Sequence, residues 1–193
     1  MSSHPISRYP VPQLAELPQD VRERILAVQE KAGFIPNVFI TLAHRPAEFR
    51  AFFDYHDALL LKDGGLSKAE REMIIVATSA ANQCHYCVIA HGAILRVYAR
   101  NPLLADQVAV NYHKADLAPR QKAMLDFAVK VALNSHAIDD ADFPRLRGHG
   151  FSDEDIWDIG AIAALFALSN RMANLIDMRP NDEFYLLGRV PRS

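Results

Sequence analysis

One stretch limits what this chain can fold into. Residues 72–91 read EMIIVATSAANQCHYCVIAH and hold both cysteines of the protein, Cys84 and Cys87, with His91 four residues after the second. On a helix, positions i, i+3 and i+7 share one face, so these three side chains are expected to lie together. Cα atoms three apart on a helix are roughly 5 Å apart, within the span that a disulfide tolerates. Glu72 fits this face only under one condition. On a single straight helix it would lie roughly 28 Å from His91 at 1.5 Å per residue. A chain reversal at Asn82-Gln83 would instead bring it level with His91. Two readings of Glu72 therefore stand side by side: a solvated acid in the first turn of a helix, or the partner of His91 across a helical hairpin. If the helix breaks at Asn82-Gln83, the cysteines fall in a first turn, where unpaired amides and the helix dipole favour a thiolate. Imidazole is the side chain that changes charge near neutral pH, so His91 is placed to take a thiol proton.

The remainder reads as all-α. Val21, Ile25, Val28 and Ala32 recur at helical spacing and Gly33 ends that run. Residues 34–39, FIPNVF, read as an apolar connector with a turn at Pro36. Pro46 opens a helix to about Lys62, stopped by Gly64-Gly65. Ser67 and Glu70 form a capping box for a helix to Ala81, and a second helix runs from Cys84 to about Tyr98. Further helices are expected after Pro102, over 118–133, from Asp139 to Gly148, and from Ser152 to about Met178. No stretch shows sustained β alternation between hairpin turns. At 193 residues a single domain over 1–193 is expected. Prolines 5, 10, 12 and 18 make 1–18 an extended arm, and 179–193 a polar tail with an apolar patch at 184–187. Similar capped starts at Ser67 and Ser152 hint at an internal repeat, with Trp157, Ser169, Met172 and Ile176 in the places of Glu72, Cys84, Cys87 and His91. Trp157, Asn170 and Asn174 read as core and helix-contact residues.

A net charge of −2 with interspersed signs argues against a nucleic-acid partner. No run approaches the roughly 18 apolar residues of a membrane span, and the N-terminus lacks a signal-peptide pattern. A cytoplasmic location is the expectation, and there a reduced thiol pair is not a structural staple. Zinc binding would need a fourth ligand beside Cys84, Cys87 and His91, with His56, His113 and His136 the distant candidates. Two inert buried cysteines are the other alternative. Tyr86 reads as a packing or pocket residue. The histidines at 4, 44, 56, 113, 136 and 149 share no ligand spacing.

Glu72, Cys84, Cys87 and His91 together resemble the signature of the alkylhydroperoxidase AhpD and carboxymuconolactone decarboxylase-like superfamily. The segments GLSKAEREMIIVATSAANQCHYCVIAHGAIL and FSDEDIWDIGAIAALFALSNRMANLI look like its core, and GFIPNVF and RPNDEF look most like the peroxidase-related branch. The resemblance implies an AhpD-like helical bundle, forming homo-oligomers, that reduces hydroperoxides with a redox dithiol. In that scheme Cys87 is the attacking thiol, Cys84 closes the Cys84–Cys87 disulfide, and Glu72 and His91 relay protons. No cofactor is bound; an external dithiol, in the family a lipoylated protein, restores the thiols. Where the family peroxidases often carry histidine just before the second cysteine, this chain has Tyr86, with His85 one place earlier. A lactone decarboxylase-type acid/base enzyme and a zinc-binding helical module are the alternatives.

Overall fold

The structure is a computed structural model and describes residues 5–189. These form ten α-helices, α1 (Gln19–Ala32), α2 (Asn37–Leu42), α3 (Pro46–Leu60), α4 (Lys68–Ala81), α5 (His85–Ala99), α6 (Leu104–Asn111), α7 (Pro119–Asn134), α8 (Asp142–Gly148), α9 (Asp153–Leu175) and α10 (Glu183–Leu186), with no strand among the described residues. The all-α expectation holds. No described helix is long and apolar enough to cross a membrane.

Helix α4 is the axis of the bundle, packed by α5, α6, α7 and α9. Its ten residues from Glu70 to Ser79 are all buried, so it lacks the polar face of an ordinary surface helix. The charges that enter the core with it each meet a partner, as burial requires. Glu70 closes the capping box with Ser67 and pairs with Arg120. Arg71 Nη1 donates to the carbonyls of Leu60 and Lys62 at 2.9 and 2.6 Å, tying the end of α3 to α4. Glu72 reaches α5.

Between α4 and α5 the chain reverses at the position that the sequence singles out. Asn82 ends α4, Gln83 takes the left-handed conformation at φ 53°, and Cys84 is the N-cap of α5. Two side-chain amides brace the turn against α9. Asn82 Nδ2 donates to Asn170 Oδ1 at 3.1 Å, and Asn170 Nδ2 donates to Ser79 Oγ at 2.9 Å.

Four expectations need correction. The FIPNVF connector contains a helix, α2, because Tyr86 and the tail satisfy its first amides. Val38 N–H donates to Tyr86 Oη at 3.2 Å and Asn37 N–H to Asn181 Oδ1 at 2.8 Å. The N-terminal arm holds a 3-10 turn, Leu14–Glu16, and it is docked: Arg8 N–H donates to Ile176 O and Arg179 N–H to Ile6 O. Residues 1–4 and 190–193 of the arm and tail lie outside the described residues. Trp157 is not core but 72% exposed. The two halves share their caps, Ser67/Glu70 and Ser152/Asp155, but α9 then runs unbroken for 23 residues where the first half turns back.

The interior has three parts. The largest surrounds α4, α7 and α9, and a smaller one joins α1 to α3. The third packs Cys84, Tyr86, Cys87 and Ala90 against Ala173, Ile176, Met178 and Phe184, which places the dithiol at the end of the bundle where α9 and the tail meet.

Candidate active site

The hairpin aligns the acid with the imidazole. Glu72 Oε2 lies 2.8 Å from His91 Nδ1, with the two side chains 8% and 14% exposed. A carboxylate at Nδ1 accepts that nitrogen's proton, so the hydrogen-bond network assigns the neutral ring's lone pair to Nε2. Phe166 of α9 holds the imidazole from the other side, edge to face, with centroids 4.7 Å apart.

The two thiols are free, both buried, and differently surrounded. Cys84 caps α5, and its sulfur accepts the Cys87 backbone N–H at 3.4 Å. The Cys87 thiol donates to it as well. That thiol bond, then the amide and the Asn170 side chain, lowers the Cys84 pKa from 9.0 to about 7, against the opposing effect of burial. Cys87 is pushed the other way. Its proton is held by the bond to Cys84, and burial adds to the rise. The Cys87 sulfur also lies 3.9 Å from Ser169 Oγ. The surroundings therefore favour negative charge on Cys84 over Cys87.

Access runs through the other sulfur. A cavity of about 380 Å³, with a mainly apolar wall, is lined by Cys87, His91, Ser169 and Tyr86, whereas Cys84 does not line it. Tyr86 is a wall residue. Its hydroxyl holds Val38, its ring meets Phe184 with centroids 6.5 Å apart, and burial pushes its phenol far up, so it is a poor proton source. His85 is exposed and bonds Tyr185 Oη through Nε2 at 3.1 Å.

One residue of this cavity was not legible from spacing. His56, on α3, lines it together with Cys87 and His91. It lies 35 residues from His91 in the chain, and the packing of α3 against α9, whose Phe166 meets both rings, brings them to one cavity. No cluster of three or more His, Cys, Asp or Glu able to hold a metal ion occurs among the described residues.

A helical bundle whose central hairpin carries a buried dithiol and a Glu–His pair defines a class, the AhpD-type fold. The comparisons agree. The model of the carboxymuconolactone decarboxylase family matches residues 46–103, which span α3 to the end of α5. The crystal structure of an alkylhydroperoxidase AhpD core, an uncharacterized peroxidase-related protein from Ralstonia eutropha JMP134, is 74% identical, with 98% of this chain and 100% of that one covered and a TM-score of 0.97. An uncharacterized peroxidase-related protein from Silicibacter sp. TM1040 is 39% identical over 98% of this chain and 100% of its own, at a TM-score of 0.91. The debrominase Bmp8, 20% identical over 95% of each chain with a TM-score of 0.74, shares the fold. No curated protein matches the chain. The protein belongs to the peroxidase-related proteins of the AhpD and carboxymuconolactone decarboxylase-like superfamily.

Proposed function

We propose that the protein is a thiol-dependent hydroperoxide reductase that works through Cys84 and Cys87, with Glu72 and His91 moving the proton. The observation that carries this reading is the cavity that brings Cys87 and the Glu72-oriented His91 to one apolar space. Cys87 is the sulfur that a cavity-bound peroxide can reach. Its proton passes to His91 Nε2, one helical turn away on α5. The sulfur attacks the distal peroxide oxygen, the O–O bond breaks, and the alkoxide leaves as an alcohol with the proton from His91. Cys87 is then a sulfenic acid. Cys84, the better thiolate, attacks the Cys87 sulfur and closes the disulfide; the sulfenic S–O bond breaks and the hydroxide takes a proton from solvent to leave as water. Two electrons have moved from the thiols to the peroxide. An external dithiol, a lipoylated protein by resemblance, returns the pair to thiols by exchange. No bound cofactor enters this scheme, and the working form is proposed to be a homo-oligomer.

The matched family model supports a second reading, lactone chemistry of the carboxymuconolactone decarboxylase type, in which Glu72 and His91 act without the thiols. One experiment separates the two. Hydroperoxide consumption is followed with a dithiol donor for the parent, Cys87→Ser and Cys84→Ser. Cys87→Ser is expected to abolish turnover, and Cys84→Ser to stop after one equivalent with a trapped sulfenic acid. Equal activity in all three proteins would rule out the dithiol mechanism.

A further inference from the structure

His56 is a titratable side chain of the cavity that the thiol chemistry above leaves without a task. Its Nδ1 lies 2.9 Å from Asp57 Oδ1, and Asp57 Oδ2 lies 2.6 Å from Arg24 Nη2. The carboxylate orients the ring as Glu72 orients His91, so the neutral imidazole carries its proton on Nδ1 and its lone pair on Nε2. Nδ1 is engaged with Asp57, which leaves Nε2 as the ring atom available to an occupant of the cavity that His56 lines. Phe166 forms a shared wall. It meets His91 at 4.7 Å and His56 at 6.5 Å, centroid to centroid, so both imidazoles border one space. Around them the wall is mainly aromatic and aliphatic, including Phe34, Phe52 and Ile94. In such a pocket a small number of placed polar groups decides how a ligand is oriented.

We propose that His56 is a substrate-contacting residue whose Nε2 accepts the O–H of the bound hydroperoxide and so aims its distal oxygen at Cys87. This assignment rests on the hydroperoxide reductase reading. It divides the work between two histidines. His91 takes the Cys87 proton and returns it to the departing alkoxide. The hydrogen that His56 holds stays on the distal oxygen and ends in the Cys87 sulfenic acid, so His56 gains and loses no proton. Burial, with a smaller push from His91, lowers the His56 pKa and favours the neutral ring that this role needs, against the opposing pull of Asp57 and Glu72.

The test uses two reagents for the same sulfur, in the Cys84→Ser background. Cumene hydroperoxide has an O–H to donate, whereas methyl methanethiosulfonate has none. His56→Phe is expected to slow sulfenic acid formation about tenfold, as loss of one orienting hydrogen bond predicts, and His56→Gln, which keeps an acceptor, to slow it less. The methanethiosulfonate rate is expected to stay at the parent value in both. Unchanged hydroperoxide rates overturn the proposal. Equal slowing with both reagents also overturns it, since His56 would then shape or activate the thiol rather than hold the substrate. If His56→Phe does not fold, as a thermal melt will show, the ratio of the two rates in His56→Gln decides. A parent protein that forms no sulfenic acid overturns the reductase reading itself, and the His56 role with it. A reactive parent with indifferent variants overturns the His56 role alone.

Discussion

Two cysteines three residues apart have been given opposite tasks by their surroundings. Cys84 receives hydrogen bonds as an N-cap, whereas Cys87 donates one and faces the cavity. Thiolate absorbance near 240 nm should therefore titrate with a midpoint near pH 7, the Cys84 value. Cys87→Ala, which removes the largest stabilising donor, should move that midpoint upward. Cys87→Ser, whose hydroxyl still donates, should move it less. Stability follows the same charges. Between pH 7 and 9.0 the native state holds fewer protons at Cys84 than the unfolded chain does, so the contribution of Cys84 is complete above 9.0 and is lost as the pH falls through about 7. The contribution of Cys87 is fully present below 9.0 and is lost as the pH climbs toward its raised value. Urea midpoints under reducing conditions should thus rise from pH 7 to pH 9, and Cys84→Ala should remove that rise. Glu72→Gln preserves shape but lets the His91 ring choose its tautomer. Turnover with peroxide is expected to fall by about 10²-fold with little change in melting temperature.

At the scale of elements, the reversal after α4 makes the site, and the packing of α9 holds the reversal. Its location is readable in the chain, because Glu72 and His91 stand at nearly equal distances from Asn82-Gln83. The Asn82–Asn170 bond that braces it is not, since its partners lie 88 residues apart. α2 illustrates the same limit. Six residues make too few internal hydrogen bonds to hold a helix, so its existence depends on Tyr86 and Asn181, neither of them local. A close approach couples the two capped helices. A Cβ on Gly65 would overlap the carboxylate of Asp155, which is itself held by Ser152 N–H at 2.9 Å and Ser152 Oγ at 2.8 Å to cap α9. Gly65→Ala must displace that cap and is expected to cost about 1–3 kcal/mol, measured by urea unfolding. An unchanged unfolding midpoint would show that Asp155 yields without loss.

Across the whole molecule, both ends of the described chain close over the dithiol end of the bundle. The buried guanidinium of Arg96 fastens the tail through the carbonyls of Phe184 at 2.8 Å and Leu187 at 2.9 Å, and both of these residues line the cavity. Arg96→Ala should leave those carbonyls unpaired and lower stability by about 2 kcal/mol, with faster tryptic cleavage at Arg189 and faster alkylation of Cys87. Alkylation at the parent rate would mean that the tail does not guard the thiol. The sequence by itself determined the helical class, the capped starts of α4 and α9, and the four residues Glu72, Cys84, Cys87 and His91. Those features depend on local spacing, capping chemistry and the side-chain period of a helix. Only the tertiary structure decided that Glu72 is a buried partner rather than a solvated acid, because the distance across a hairpin depends on how α4 and α5 pack. It also decided which sulfur has surroundings that favour a thiolate and which faces the cavity, and it brought His56 to that cavity. Charge balance and access at a buried site are set by neighbours far along the chain, and the spacing of residues along one helix carries no record of them.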